Sequence, residues 1–102
     1  MPHASKRKGN RFEREIVHAA QDAGLDAERA YASDGRSLGE AESVDVMIRA
    51  PDTEIRVQAK RRKAIAQYLT PPDGADITVI REDRADALAV VPLSMLLKLL
   101  TS

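Results

Sequence analysis

The sequence predicts an α/β domain in which one central mixed β-sheet is flanked by helices, in the order α-β-β-β-α-β-β-α. Three observations carry that prediction. Apolar residues recur at helical spacing near the N-terminus. Two runs in the middle of the chain alternate apolar and polar residues. The last third holds two short apolar runs followed by a Leu-rich stretch. At 102 residues the chain suffices for one domain with one core, spanning 1–102 with a flexible tail at 1–5.

The first helix is expected from about Lys8 to Ala23, closed by Gly24. Its stripe is Phe12, Ile16, Ala19, Ala20 and Ala23. Glu13 lies beside that stripe, which puts its carboxylate at the rim of the core, where a helix meets a sheet. Residues 25–33 read as a short strand. The stretch 33–43, rich in Gly, Ser, Asp and Glu, is long for a connection in a compact domain and favours a functional loop.

The two alternating runs follow. Val44, Val46 and Ile48 face one way, with Asp45, Met47 and Arg49 opposite. Ile55, Val57 and Ala59 face inward, while Glu54, Arg56, Gln58 and Lys60 share the other face. Pro51 and Asp52 are turn formers, so a hairpin joins them. Pairing Arg49 with Glu54 sets Met47 against Arg56 and, in an unbulged ladder, Asp45 against Gln58. Directly opposed side chains lie about 5 Å apart.

After Lys60, residues 61–69 read as a short helix with Ile65 and Leu69 inward, broken by Pro71-Pro72-Asp73-Gly74. Strands are expected at 76–81 and 87–93, joined by the charged turn 82–86. The continuous apolar run 87–91 suits a strand covered on both faces. Ser94 is placed to cap a final helix at 95–100, apolar except for Lys98. Such a helix either plugs its own domain or packs on a second copy, and the second arrangement is preferred.

Composition bounds the function. The chain lacks Cys, which excludes disulfides and thiolate metal sites, and aromatics make up 3% of it, so the core is aliphatic. No apolar run reaches membrane-spanning length, and the basic N-terminus lacks an apolar signal core; an intracellular protein is expected. Lys and Arg together number 16, as do Asp and Glu, yet the cations cluster. One cluster holds Lys6, Arg7, Lys8, Arg11 and Arg14; the other holds Arg56, Lys60, Arg61, Arg62 and Lys63. Local basic clusters on a neutral chain suit a polyanion-binding face. His3 and His18 are expected at the surface. Tyr31 and Tyr68 could stack on an unpaired base, but filling a core poor in aromatics is the expectation for both.

Asp45 and Gln58 offer a carboxylate and an amide oxygen, Glu13 offers a second carboxylate from the helix, and Lys60 follows Gln58 on the same face. Mg²⁺ takes octahedral oxygen ligands, commonly one or two carboxylates with waters and a substrate phosphate. Beside such an ion, Lys60 could orient an attacking water and offset charge on phosphorus, the arrangement of metal-assisted phosphodiester hydrolysis.

Asp45 followed by Gln58-Ala59-Lys60 resembles the D…(E/Q)xK core of the PD-(D/E)xK nuclease superfamily. Lys8-Gly9-Asn10-Arg11-Phe12-Glu13-Arg14-Glu15 is similar to the opening motif of archaeal-type Holliday junction resolvases, and Arg29-Ala30-Tyr31-Ala32-Ser33 to the Arg-x-x-x-Ser stretch before their loop. The resemblance spans about residues 6–93. It implies a restriction-endonuclease-like domain and a homodimeric endonuclease that cuts four-way DNA junctions in recombination and repair. It implies Mg²⁺ as cofactor, with Mn²⁺ as a substitute, in the cytoplasm of a prokaryote or in a virus-infected cell. Carried over by position, Glu13, Asp45, Gln58 and the Ala59 carbonyl hold the metal, Lys60 is the catalytic lysine, and Ser33 assists. Glu13's place in this set rests mostly on the resemblance. Lys6, Arg7, Lys8, Arg11, Arg14, Arg29, Arg61, Arg62 and Lys63 are the expected phosphate contacts. One departure stands out: the third acidic position, usually Glu, is Gln58, which removes one formal negative charge from the ligand set. A restriction- or repair-like nuclease on other DNA, a DNA-binding dimer with a degenerate site, and a protein-binding module built on the Leu-rich helix are the alternatives.

Overall fold

The computed structural model describes residues 4–30 and 35–102 and, within these, all side chains but those of residues 4–8 and 37. Helix α1 (Ala4–Asp22) leads into strand β1 (Asp26–Arg29), a 3-10 turn (Gly35–Leu38), and strands β2 (Val46–Ala50) and β3 (Thr53–Val57). A second 3-10 turn (Gln67–Leu69), strands β4 (Thr78–Ile80) and β5 (Leu88–Val90), and helix α2 (Leu93–Thr101) complete the chain. The α/β class stands, and every strand pairing among the described residues is antiparallel.

Helix α1 starts earlier than expected, so residues 4 and 5 belong to it and not to a tail. The run from Ala4 to Lys8 is free of helix breakers, and Gly9 costs only about 1 kcal/mol in a helix interior. Its end is specified in detail. Gly24 takes a φ of 92°, Gly24 N–H donates to the Gln21 carbonyl at 2.9 Å, and Leu25 N–H donates to the Ala20 carbonyl at 2.9 Å. This is the Schellman motif, which glycine enters without a Cβ penalty. It turns the chain so that Leu25 joins Ala20 in the core.

Strands β1, β2 and β3 form one sheet with β2 in the middle. The expected register holds along the hairpin: Arg49 pairs with Glu54 and Met47 with Arg56. The core lies on one face of this sheet, where Ile16 and Ala20 of α1, Leu25, Ala27 of β1, Val46 and Ile48 of β2, and Leu97 of α2 meet. Val46 and Ile48 are fully buried. Helix α2 thus plugs its own domain through Leu97, with Leu100 packed against the same cluster, while Leu93 and Leu99 stay exposed. It begins at Leu93 and not at a Ser94 cap, because the Pro92 carbonyl accepts the N–H groups of Met95 and Leu96.

Met47 departs from the alternating pattern. It lies on the polar face, yet it is 2% exposed. Being central, β2 has neighbours on both sides, and charged side chains roof its outer face. Arg49 contacts Asp26 and Glu28 at 3.4 Å each and Glu54 at 3.5 Å.

The second half differs most from expectation. Residues 61–66 are not helical, and the expected helix shrinks to the single turn Gln67–Leu69, with Ile65 exposed. Four successive cations, Lys60 to Lys63, would crowd a helix N-terminus, where the dipole favours anions, and the prolines leave too few residues to recover the cost of nucleation. Placing β4 parallel in the first sheet needs a crossover of a dozen or more residues, usually a helix. Without it, β4 pairs locally with β5 in a separate two-stranded sheet. Leu88 is therefore 64% exposed and Val79 62%, not covered on both faces.

Candidate active site

Three segments meet at one end of the first sheet. Helix α1 brings Glu13, which is 4% exposed although charged. The end of β1 brings Arg29, whose Nη1 donates to Glu13 Oε1 at 3.3 Å. A carboxylate taken from water needs such a partner. Arg29 pairs with Val46 in the β1–β2 ladder, and the next residue, Ala30, donates its N–H to the Asp45 carbonyl at 2.8 Å. Asp45 is thereby tied to the strand that holds Glu13's partner.

Towards β3 the regular ladder stops at Val46 and Val57. Asp45 N–H donates to the Val57 carbonyl at 2.8 Å. Two residues at the start of β2 thus oppose one on β3, the arrangement of a β-bulge. The expected direct pairing of Asp45 with Gln58 is corrected by this bulge. Bulges re-aim side chains, and here Asp45 Oδ2 accepts the Ala59 N–H at 2.8 Å. The carboxylate is held at the middle residue of Gln58-Ala59-Lys60. Alternation continues through that tripeptide, since Ala59 is half-buried against the core while Gln58 and Lys60 are exposed.

The remaining expected site residues are distributed as follows. Arg11 and Arg14 are exposed on α1, and Arg61, Arg62 and Lys63 are exposed in the segment after Lys60. Lys6, Arg7 and Lys8 lie in the first turns of α1, with side chains outside the described set. Ser33 and Tyr31 fall outside the described residues. Arg29, expected on phosphate, has its guanidinium on Glu13. Tyr68 does not fill a core; it is 70% exposed. Among the described residues no group of three His, Cys, Asp or Glu side chains is placed to hold a metal ion. The described groups that could stand with these two carboxylates in a cation site are the Gln58 amide and the Ala59 carbonyl, and such an all-oxygen set would suit Mg²⁺.

Two contacts were missed in the sequence. A Glu inside an apolar stripe signals a buried cation partner, and Arg29 was the nearest strand-end candidate. The pair formed by Arg56 Nε and Glu40 Oε1 joins the loop before β2 to β3, and its residues carry no local signal.

Compared with known families, the chain matches the model of the archaeal Holliday junction resolvase family (Hjc) over residues 4–91. The chain belongs to that family. No curated protein and no solved structure matches it. Membership in the Holliday junction resolvases places the chain among nucleases of recombination and repair that act on Holliday junction DNA. The matched span covers Glu13, Arg29, Asp45 and Gln58-Ala59-Lys60, along with the solitary hairpin β4–β5. Among the described residues, no helix is long and apolar enough to cross a membrane.

Proposed function

We propose that this resolvase cuts four-way DNA junctions by Mg²⁺-dependent phosphodiester hydrolysis, as a homodimer. The observation that supports it most is the hold on Asp45: its carboxylate is anchored by the Ala59 N–H between Gln58 and Lys60, next to the Glu13–Arg29 pair. In this reading Asp45, Glu13, the Gln58 amide oxygen and the Ala59 carbonyl are the metal ligands, with Mn²⁺ as a substitute. Bound there, the ion would polarise the phosphoryl oxygen and lower the pKa of a water. Lys60 is the catalytic lysine of this reading, and its exposure supports access to a substrate. Ser33 assists, by the family resemblance alone. Arg11, Arg14, Arg61, Arg62 and Lys63 grip phosphates, which carry position and not sequence. The arms of a junction are thus read by shape. A twofold dimer suits a substrate in which two opposed strands are nicked. The exposed apolar residues of α2 and of the β4–β5 hairpin support that assembly.

The test is a labelled four-way junction incubated with and without Mg²⁺. Asp45→Ala is expected to abolish cleavage and keep junction binding; full Mg²⁺-dependent activity in that variant overturns the assignment. Gln58 replaces a carboxylate by a neutral oxygen, so Gln58→Glu is expected to lower the Mg²⁺ concentration for half-maximal cleavage. An unchanged requirement removes Gln58 from the ligand set. Binding without cleavage by the wild-type chain in either Mg²⁺ or Mn²⁺ favours the DNA-binding dimer with a degenerate site.

A further inference from the structure

We infer that Glu40 and Arg56 are positioning residues for Asp45, a role that rests on the nuclease reading only for its catalytic consequence. Arg56 stands on β3 two positions before Gln58, and its Nε donates to Glu40 Oε1. Glu40 stands in the loop that enters β2. From Glu40 the chain makes one tight turn, in which Val44 N–H donates to the Ala41 carbonyl at 3.0 Å, and the next residue is Asp45. This ion pair joins the two segments that carry Asp45 and Gln58-Ala59-Lys60, beside the bonds that Asp45 makes to Val57 and Ala59.

Burial points the same way. Met47, paired with Glu28 on one side and Arg56 on the other, is 2% exposed on a sheet face that α1 and α2 do not cover. Arg56, the cross-strand partner of Met47, holds Glu40 on that same face, and Leu38 and Glu40 are both half-buried. The Glu40 carboxylate raises the Arg56 pKa, first through their hydrogen bond and then through charge attraction. The Asp45 backbone is tied to Ala30 and Val57, but it lies at a bulge where the regular ladder ends, so the setting of the incoming loop bears on where its carboxylate points. A slip of that loop, which also carries the buried Val44, would withdraw the oxygen from the Ala59 N–H while leaving Val46 and Ile48 in the sheet.

Amide hydrogen exchange reads this directly, because the Asp45 and Ala59 N–H groups each make one of the bonds in question. In Glu40→Gln and Arg56→Gln, exchange at Asp45 and Ala59 is expected to rise about two- to fivefold, the range for a partly exposed ion pair. Exchange at Ala27 and Ile48 stays at the wild-type rate. The double variant is no faster than either single one, and Arg56→Lys retains most of the protection. Single-turnover junction cleavage falls by the same factor while junction affinity holds. Unchanged exchange at Asp45 and Ala59, additive single effects, or a uniform rise across all amides overturns the inference. Exchange is measured without DNA or metal. A wild-type chain that never cuts DNA would therefore refute the nuclease reading and leave this positioning role standing on its own result.

Discussion

Residues 4–60 and residues 61–92 are similarly rich in short apolar runs, yet they fold to opposite degrees of burial. In the first region a three-stranded sheet presents one apolar face to α1, and α2 closes over it from the far end of the chain. In the second region two strands of three residues pair with each other and, among the described residues, with no other strand. A lone hairpin is marginally stable in water, and three strands or a covering helix are needed for independence. Partners, and not local hydrophobicity, make the difference. Leu97 shows this from the other side, since it comes after the exposed hairpin in sequence and still joins the buried cluster. The chemistry follows the same divide. Glu13, Arg29, Asp45 and Ala59 belong to the packed region, while the cations Arg61, Arg62 and Lys63, proposed above as phosphate contacts, open the exposed one.

The sharpest way to break this contrast is to remove packing where it is densest. Ile48 is fully buried in the central strand. Ile48→Ala is expected to lower the unfolding free energy by about 2–5 kcal/mol, the range for deleting a buried aliphatic side chain and leaving a cavity. Urea denaturation measures it. A loss below about 1 kcal/mol would mean that the sheet repacks freely and that the two regions are less different than their burial indicates.

A smaller effect is expected at the boundary between packing and chemistry. Arg29→Met removes a cation from the nearly buried Glu13 carboxylate and is expected to cost about 1–3 kcal/mol. Glu13→Gln in the same background should recover part of that loss, because the second change removes the charge that the first left behind. If Arg29→Met is neutral by urea denaturation, Arg29 does not stabilise Glu13, and its expected role on phosphate regains its place.

How far these features could be read from the sequence follows the same division. Helix α1, its Gly24 terminus and the β2–β3 register are set by neighbours close in the chain. Spacing of Ile16 and Ala20, one glycine, and the opposition of Arg49 to Glu54 sufficed to place them. Glu13 at the core rim was legible because a carboxylate beside an apolar stripe has few other places to go. Three features lay beyond such reasoning. The bulge at Asp45 depends on a hydrogen bond to Val57 that no residue type announces. Arg56 and Glu40 meet across a loop. The helix expected at 61–69 looked adequate by apolar spacing, and its loss to a run of four cations removed the crossover on which a single mixed sheet depended. Residues such as Leu88, apolar and yet exposed, are the consequence.

The smallest effect is expected at Leu88, and it discriminates most finely. At concentrations where the chain is monomeric, Leu88→Ala should change the unfolding free energy by no more than about 0.5 kcal/mol, as for surface substitutions generally. The side chain has little packing to lose at 64% exposure. In a homodimer that covers the β4–β5 hairpin, the same substitution would weaken association, so its cost would grow with protein concentration. Sedimentation and urea denaturation across a concentration series separate the cases. A cost comparable with that of Ile48→Ala at every concentration would show the hairpin packed within its own chain, and the contrast between the two regions would fall.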